Sequence, residues 1–212
     1  MREQIKIIRQ RMSCMTAGER VSYIITYYWY HILGMAALLF LPVFLAVHVA
    51  GAMERTEFTC VLVNQAIDYE RDDELGERLA DWLGLKASLV EVDSDYNISY
   101  GDVQLDGVNE SSYEKFFFKW NNKELDAVIL PESFYEYCKE LGGSFRDLQE
   151  FETGDLPLYE DSGTIVGVRI EETGLLNDLS NETGEVLLLV FPESADRMEY
   201  CQSFLDYIQE AS

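Results

Sequence analysis

From Val21 to Met53 the chain runs for 33 residues without a single Asp, Glu, Lys or Arg. Its core, Ile32 to Met53, reads ILGMAALLFLPVFLAVHVAGAM. At a rise of about 1.5 Å per residue this core reaches roughly 33 Å as a helix, enough to cross a hydrocarbon layer of about 30 Å. Tyr27, Tyr28, Trp29, Tyr30 and His31 stand immediately before it, rings that settle at a lipid–water interface. Pro42 in mid-span is tolerated by a membrane helix, and His48 falls near the outer interface. The expectation is one transmembrane helix over residues 22–53.

Charge divides the rest into two unlike parts. Residues 1–21 carry five basic and two acidic groups, whereas residues 54–212 carry 11 basic and 37 acidic ones. The Lys/Arg bias places the N-terminus in the cytoplasm and residues 54–212 outside. Ser13 to Tyr30 is expected as a juxtamembrane helix on the inner leaflet, where the basic residues of segment 1–21 suit an anionic surface. A net charge of −26 on the outer part excludes nucleic acid as its partner, because phosphate contacts need a basic face. The competing reading is a signal peptide cleaved after Ala52, for which Ala50-Gly51-Ala52 has the small-x-small form. The apolar run exceeds the usual 7–15 residues of such a peptide, which favours an uncleaved anchor.

Cys14 falls on the inner side, leaving Cys60, Cys138 and Cys201 outside. Three is an odd number, so a full disulfide framework is excluded; buried free thiols are the simplest account, with one bridge left open.

The outer part alternates strand and helix. Phe58–Asn64 reads as a buried strand, and Asp68–Leu83 as a helix with Leu75, Leu79, Trp82 and Leu83 on one side and Gly84 as its stop. Ala87–Val92 follows as a strand, Ser111–Trp120 as a helix, and Leu125–Leu130 as a third strand. Pro131-Glu132-Ser133 opens a helix that Gly142-Gly143 ends. Asp161-Ser162-Gly163 suggests a hairpin between Leu156–Glu160 and Thr164–Ile170. Glu185–Phe191 is the most apolar strand, and a closing helix covers about residues 193–208. Continuous apolar strands alternating with helices predict an α/β domain with a mostly parallel sheet and helices on both faces. Leu130-Pro131-Glu132-Ser133 and Phe191-Pro192-Glu193-Ser194 are nearly the same junction, and each runs on to a Glu-Tyr-Cys triplet.

Three segments between Leu125 and Ile208 carry a resemblance. LDAVILPESFYEYCKELGGSFRDLQEF resembles the stretch of type 2 extracellular solute-binding proteins in which an Asp-bearing strand leads into a helix, then a hydrophobic turn (Phe145-Arg146-Asp147-Leu148 here). LPLYEDSGTIVGVRI is similar to their next hairpin, with its Gly167-Val168 pair, and FPESADRMEYCQSFLDYI to the helix that resumes their first lobe. Those proteins close two lobes on a cleft. Only 14 residues separate Ile170 from Glu185 here, so the resemblance implies a single lobe. The head YIITYYWYHILG is similar to that of small single-pass membrane proteins of Gram-positive bacteria.

Chemistry is sparse. Both His residues fall in the apolar segment, and no Walker loop, GxGxxG or CxxC occurs, so no cofactor is expected. Asp93-Ser94-Asp95-Tyr96-Asn97 offers oxygen ligands like the start of a Ca²⁺ loop. Ile98 stands where an EF-hand needs Gly, and Gln104 where it needs Glu, so Asp93, Asp95 and Asn97 make at most a weak cation site. The same Asp-x-Asp is similar to the metal motif of membrane-anchored glycosyltransferases. The Asn-x-Ser/Thr triplets at Asn97, Asn109 and Asn181 read as polar loops. If a small ligand binds, the open-sheet rule puts it beyond the strand ends. That selects Asn64 and Gln65, Glu132 and Ser133, and Glu193 and Ser194.

The functional expectation is a membrane-anchored, solute-binding-like module without catalysis, serving as an accessory or interaction protein of a transporter or sensor. Its partners are membrane lipid through residues 22–53 and a membrane protein. The alternatives are a small-ligand receptor using the strand-end surface, and a metal-dependent glycosyltransferase acting through Asp93 and Asp95.

Overall fold

The computed structural model describes residues 15–52, 55–105, 108, 110–170 and 185–211. Cys14, Asn109, Asn181 and the side chain of His48, each named above, lie outside the described residues. The chain divides into two units, 1–54 and 55–212.

In the first unit, α1 spans Ala17–Ala52 as one helix of 36 residues with Pro42 inside it. The Thr16 backbone N–H and hydroxyl both donate to the Glu19 carboxylate, at 2.8 and 2.9 Å, half of a capping box that fixes where the helix begins. The expected juxtamembrane helix and the span are therefore continuous. Ile25–Val47, 23 residues of mean hydropathy 2.1, is long and apolar enough to cross a membrane, and none of it is buried. It starts seven residues before Ile32 because the aromatic stretch shares the helix.

The second unit is an α/β domain. Its strands are β1 (Phe58–Val63), β2 (Val90–Tyr96), β3 (Ala127–Pro131), β4 (Leu158–Asp161), β5 (Thr164–Arg169) and β6 (Leu187–Val190). Its helices are α2 (Tyr69–Leu83), α3 (Glu110–Asn121), α4 (Glu132–Glu140) and α5 (Met198–Ala211). The strands form one sheet in the order β2-β1-β3-β6-β5-β4. β1 is parallel to β2 and β3, but β6 is antiparallel to both β3 and β5, and β4 is antiparallel to β5. The sheet is thus mixed, which corrects the mostly parallel expectation. A strand covered by helices on both faces is apolar throughout whichever way it runs, so the LLLV pattern of β6 carried no direction.

Alternate strand residues feed two cores. Phe58, Cys60, Leu62, Ala127, Ile129, Leu187 and Leu189 point to one face, where α2 supplies Leu75 and Leu79 and α5 supplies Phe204, Leu205 and Ile208. Val61, Val63, Val128, Leu130, Leu188 and Val190 point to the other, under Phe116 of α3 and Phe134 of α4. Each fully buried side chain of this size contributes about 1.5–3 kcal/mol. Cys60, Cys138 and Cys201 are buried free thiols, and burial pushes Cys138 and Cys201 up to about 12.

Local chemistry sets the element ends. Asp68 caps α2 by accepting from the Arg71 N–H, and Gly84 closes it at φ 68°. The β4–β5 hairpin turns at Ser162 and Gly163, both at positive φ, the geometry of a two-residue loop that matches strand twist. Gly167 lets β5 approach β6: a Cβ there would sit 2.9 Å from the Leu189 carbonyl oxygen and 3.0 Å from Val190 Cγ1, and a backbone oxygen in a central strand cannot step aside.

Candidate functional site

β1, β2 and β3 end together at what we term the upper edge of the sheet, where β6 begins beside Pro131. Asn64, in the left-handed region at φ 56°, is fully buried. Its Nδ2 donates to the Ile98 carbonyl at 3.1 Å, and its Oδ1 accepts from the Ile98 N–H at 2.7 Å. The side chain thus acts as one rung of backbone pairing between the β1 and β2 exits. Gln65 is equally buried; its Nε2 donates to the carbonyls of Val63 and Asn64, while its Oε1 meets no hydrogen-bond donor among the described residues.

The N-terminus of α4 is also filled from within. The Glu185 carboxylate accepts from the Ser133 N–H at 3.0 Å, and the Glu132 N–H donates to the Val186 carbonyl at 3.0 Å. The Ser133 and Tyr100 hydroxyls lie 2.6 Å apart, and the Tyr159 hydroxyl donates to Glu132 Oε1 at 2.7 Å. Burial raises the Tyr100 phenol above its ordinary value, with Glu185 adding to the shift. Asn64, Gln65, Glu132 and Ser133 therefore do share one edge, but the groups that a ligand would need are mostly bonded to one another.

Glu193 and Ser194 belong elsewhere. Because β6 runs against β3, they leave the sheet at its lower edge, where β1, β2 and β3 begin. They also do not start a helix: residues 192–195 form a turn, with Ala195 N–H bonded to Pro192 O at 3.0 Å, and α5 begins only at Met198. Arg146 braces this turn, donating from its backbone N–H to Phe191 O and from Nη2 to the Glu193 and Ala195 carbonyls. The Ser194 hydroxyl is buried with no hydrogen-bond partner among the described residues. The two similar Pro-Glu-Ser junctions thus end up at opposite edges in different conformations, which corrects their grouping.

Asp93 and Asp95 lie on β2, which extends to Tyr96 rather than ending at Val92. Asp93 Oδ2 pairs with Lys115 at 2.6 Å and its Oδ1 accepts from the Asp95 N–H at 2.9 Å. One turn along α3, Lys119 pairs with Glu91 at 2.7 Å. Glu91 and Asp93, two apart on β2, thus meet Lys119 and Lys115, four apart on α3, so the first Asp of the Asp-x-Asp is held by a helix lysine. Among the described residues, no group of three His, Cys, Asp or Glu side chains is placed to hold a metal. Partly exposed pairs of this kind contribute about 0.2–1 kcal/mol each. Asp93→Asn and Asp95→Asn are therefore expected to cost less than about 1 kcal/mol each in urea unfolding; a larger loss, or one reversed by added Ca²⁺ or Mn²⁺, would reinstate a metal role.

The lower edge holds an arrangement that no sequence motif announced. Asp126, 1% exposed, accepts from the Thr59 N–H and from Arg197 Nη1, both at 2.9 Å. Arg197 Nη1 also reaches the Glu57 carbonyl at 2.6 Å. Burial pushes the Asp126 carboxyl up to about 6, against the opposing pull of the Thr59 N–H and Arg197. Beside this pair opens a cleft of about 370 Å³ lined by Arg55, Lys119, Lys123 and Arg197, together with Thr56, Thr59 and Asn122. Glu91 and Glu124 complete its wall. Its basic residues come from positions 55, 119, 123 and 197 and meet only in three dimensions. The one signal available in sequence was Lys119 and Lys123 at i, i+4 near a helix end.

At the upper edge the polar side chains mostly bond one another, and at the lower edge four basic residues line one cleft of an otherwise acidic domain. Neither edge contains an imidazole or an accessible thiol among the described residues. Comparison with known proteins finds nothing similar: no family model, no curated protein and no solved structure matches the chain.

Proposed function

We propose that this chain is a single-pass membrane protein, N-terminus in the cytoplasm, whose C-terminal α/β domain stands outside the membrane. That domain is a solute-binding-like single lobe and works without catalysis, as an accessory or interaction module beside a transporter or sensor. The observation that carries the reading is Ile25–Val47 within α1: 23 residues of mean hydropathy 2.1, unburied along their length, on a chain whose other unit has its own two-faced core. Five basic residues before Ile25 and 37 acidic ones after α1 support the orientation. Mutual hydrogen bonding among Ser133, Tyr100, Glu185, Glu132 and Tyr159 supports a non-receptor upper edge.

Protease added outside right-side-out vesicles is expected to digest the C-terminal domain and leave a membrane-held fragment of roughly 50 residues, about what an anchor and its short inner segment require. Complete protection of the domain would reverse the orientation. Release of the intact chain into the soluble fraction would remove the anchor itself.

A further inference from the structure

We infer that the lower-edge cleft is an anion site that takes a phosphate group. Residues 54–212 carry 11 basic residues against 37 acidic ones, yet four of the 11 line this one cleft. Gathering like charges opposes folding unless something of the opposite sign repays it. Two acids in the wall, Glu91 and Glu124, offset part of the four positive charges. Glu91 is paired with Lys119, and beside the cleft Asp126 and the Glu57 carbonyl take only Nη1 of Arg197.

The remaining donors are available. Arg197 Nη2 and Nε make no hydrogen bond among the described residues, so the guanidinium is fixed on one side and open on the other. Arg55 makes no hydrogen bond or ion pair among them. Lys123 reaches only Asp196, at 3.5 Å, with both side chains more than half exposed. Such a contact holds little energy.

Helix capping does not account for the lysines. The C-terminus of α3 is closed by backbone: Lys123, at φ 59°, donates its N–H to Trp120 O at 3.1 Å, and Glu124 donates to Lys119 O at 2.9 Å. That pair of bonds is a complete left-handed cap. It leaves the amine of Lys123 unneeded there and aims it at the cleft. Lys119, held by Glu91, forms a wall.

The lining also selects the occupant. Besides the carboxylates of Glu91 and Glu124 it offers guanidinium, ammonium, hydroxyl and amide groups and no apolar side chain, which disfavours aromatic, aliphatic or sugar-stacking ligands. A compact anion with several oxygens can accept from all of these donors at once, and guanidinium and ammonium groups are the usual phosphate partners. Two sources present that chemistry: a soluble phosphate and the phosphate of a lipid headgroup. Arg55 follows the apolar helix by three residues in sequence, so both are tested.

The full chain in neutral detergent is titrated with inorganic phosphate, and separately with a short-chain phosphatidic acid below its micelle concentration, by ³¹P NMR or calorimetry. Saturable binding of at least one probe is expected. Arg55→Gln with Lys123→Gln should weaken it about tenfold or more, the loss of one or two charge-assisted hydrogen bonds, without changing Tm. Arg55→Lys with Lys123→Arg keeps the charges and should keep binding, which separates loss of donors from damage to the fold. Phosphatidic acid tighter than inorganic phosphate assigns the lipid source; equal or weaker binding assigns the soluble one. No saturable binding of either probe up to about 10 mM, or binding indifferent to the double Gln variant, would overturn the site. Full displacement by chloride at matched ionic strength would do the same. The result is independent of the topology assay: the cleft can fail while the anchor stands, and the reverse.

Discussion

Replacing Asn64 by alanine is expected to lower the stability of the C-terminal domain by about 2–4 kcal/mol, read as a lower urea midpoint at unchanged m. The loss has two physical sources. Alanine removes both hydrogen bonds to Ile98, whose backbone N–H and carbonyl are then left inside a fully buried neighbourhood. A stranded buried donor costs about 1–3 kcal/mol by itself. Alanine must also hold φ near 56°, and the left-handed region costs an L-residue about 1–2 kcal/mol, a penalty that Asn tolerates better. Were Asn64 a ligand residue instead, the variant would keep its midpoint and lose only a binding response.

Arg197→Gln is expected to cost about 3 kcal/mol at pH 8 but far less at pH 5, because it leaves a buried carboxylate without its cation. The sign follows from Asp126, whose carboxyl is already pushed up to about 6 by burial. A carboxyl raised in the folded state favours folding fully below its unfolded value near 4, and that contribution is lost as pH climbs through the folded value. Without Arg197 the folded value rises further, so the penalty at neutral and alkaline pH deepens while protonation near pH 5 cancels it. Tm measured at pH 5 and pH 8 for both chains decides the matter: an equal loss at both would assign Arg197 to packing alone. Asp161 does not confound the comparison. Lys139, Tyr135 and Ser162 hold its carboxyl down to about 2, so its contribution is present above the ordinary carboxylate range and fades only toward pH 2.

Elements governed by local chemistry were readable in advance. Asp68 and Gly84 bracket α2, Ser162-Gly163 makes the hairpin turn, and the continuous apolar run of β1 marks a buried strand, because each signal acts within a few residues. Ala87–Leu89, expected to begin a strand, instead forms a single 3-10 turn before β2. The direction of β6 was not readable, since burial on both faces erases the pattern that distinguishes strand orientation. Glu193 and Ser194 were misplaced for that reason alone. Asn64 and Gln65 follow the end of β1, where a general rule looks for ligands, but no spacing revealed that Asn64 would bond to Ile98. Arg55, Lys119, Lys123 and Arg197 lie up to 142 positions apart, and only the packing of α3 and the approach to α5 against the start of β1 makes them neighbours.

The position of β6 also bears on how the domain is made. It is the last strand in sequence yet lies between β3 and β5, so residues 55–170 alone leave two strands facing a missing central partner. As the chain emerges from the ribosome, the β4–β5 hairpin has no sheet to join until Leu187–Val190 is synthesised. Until then, Val128–Pro131 and Val166–Arg169 present open backbone edges of the kind that invite wrong partners. The domain therefore closes late and all at once, and β6 is the residue stretch whose synthesis decides when an incomplete chain stops being vulnerable to aggregation or proteolysis.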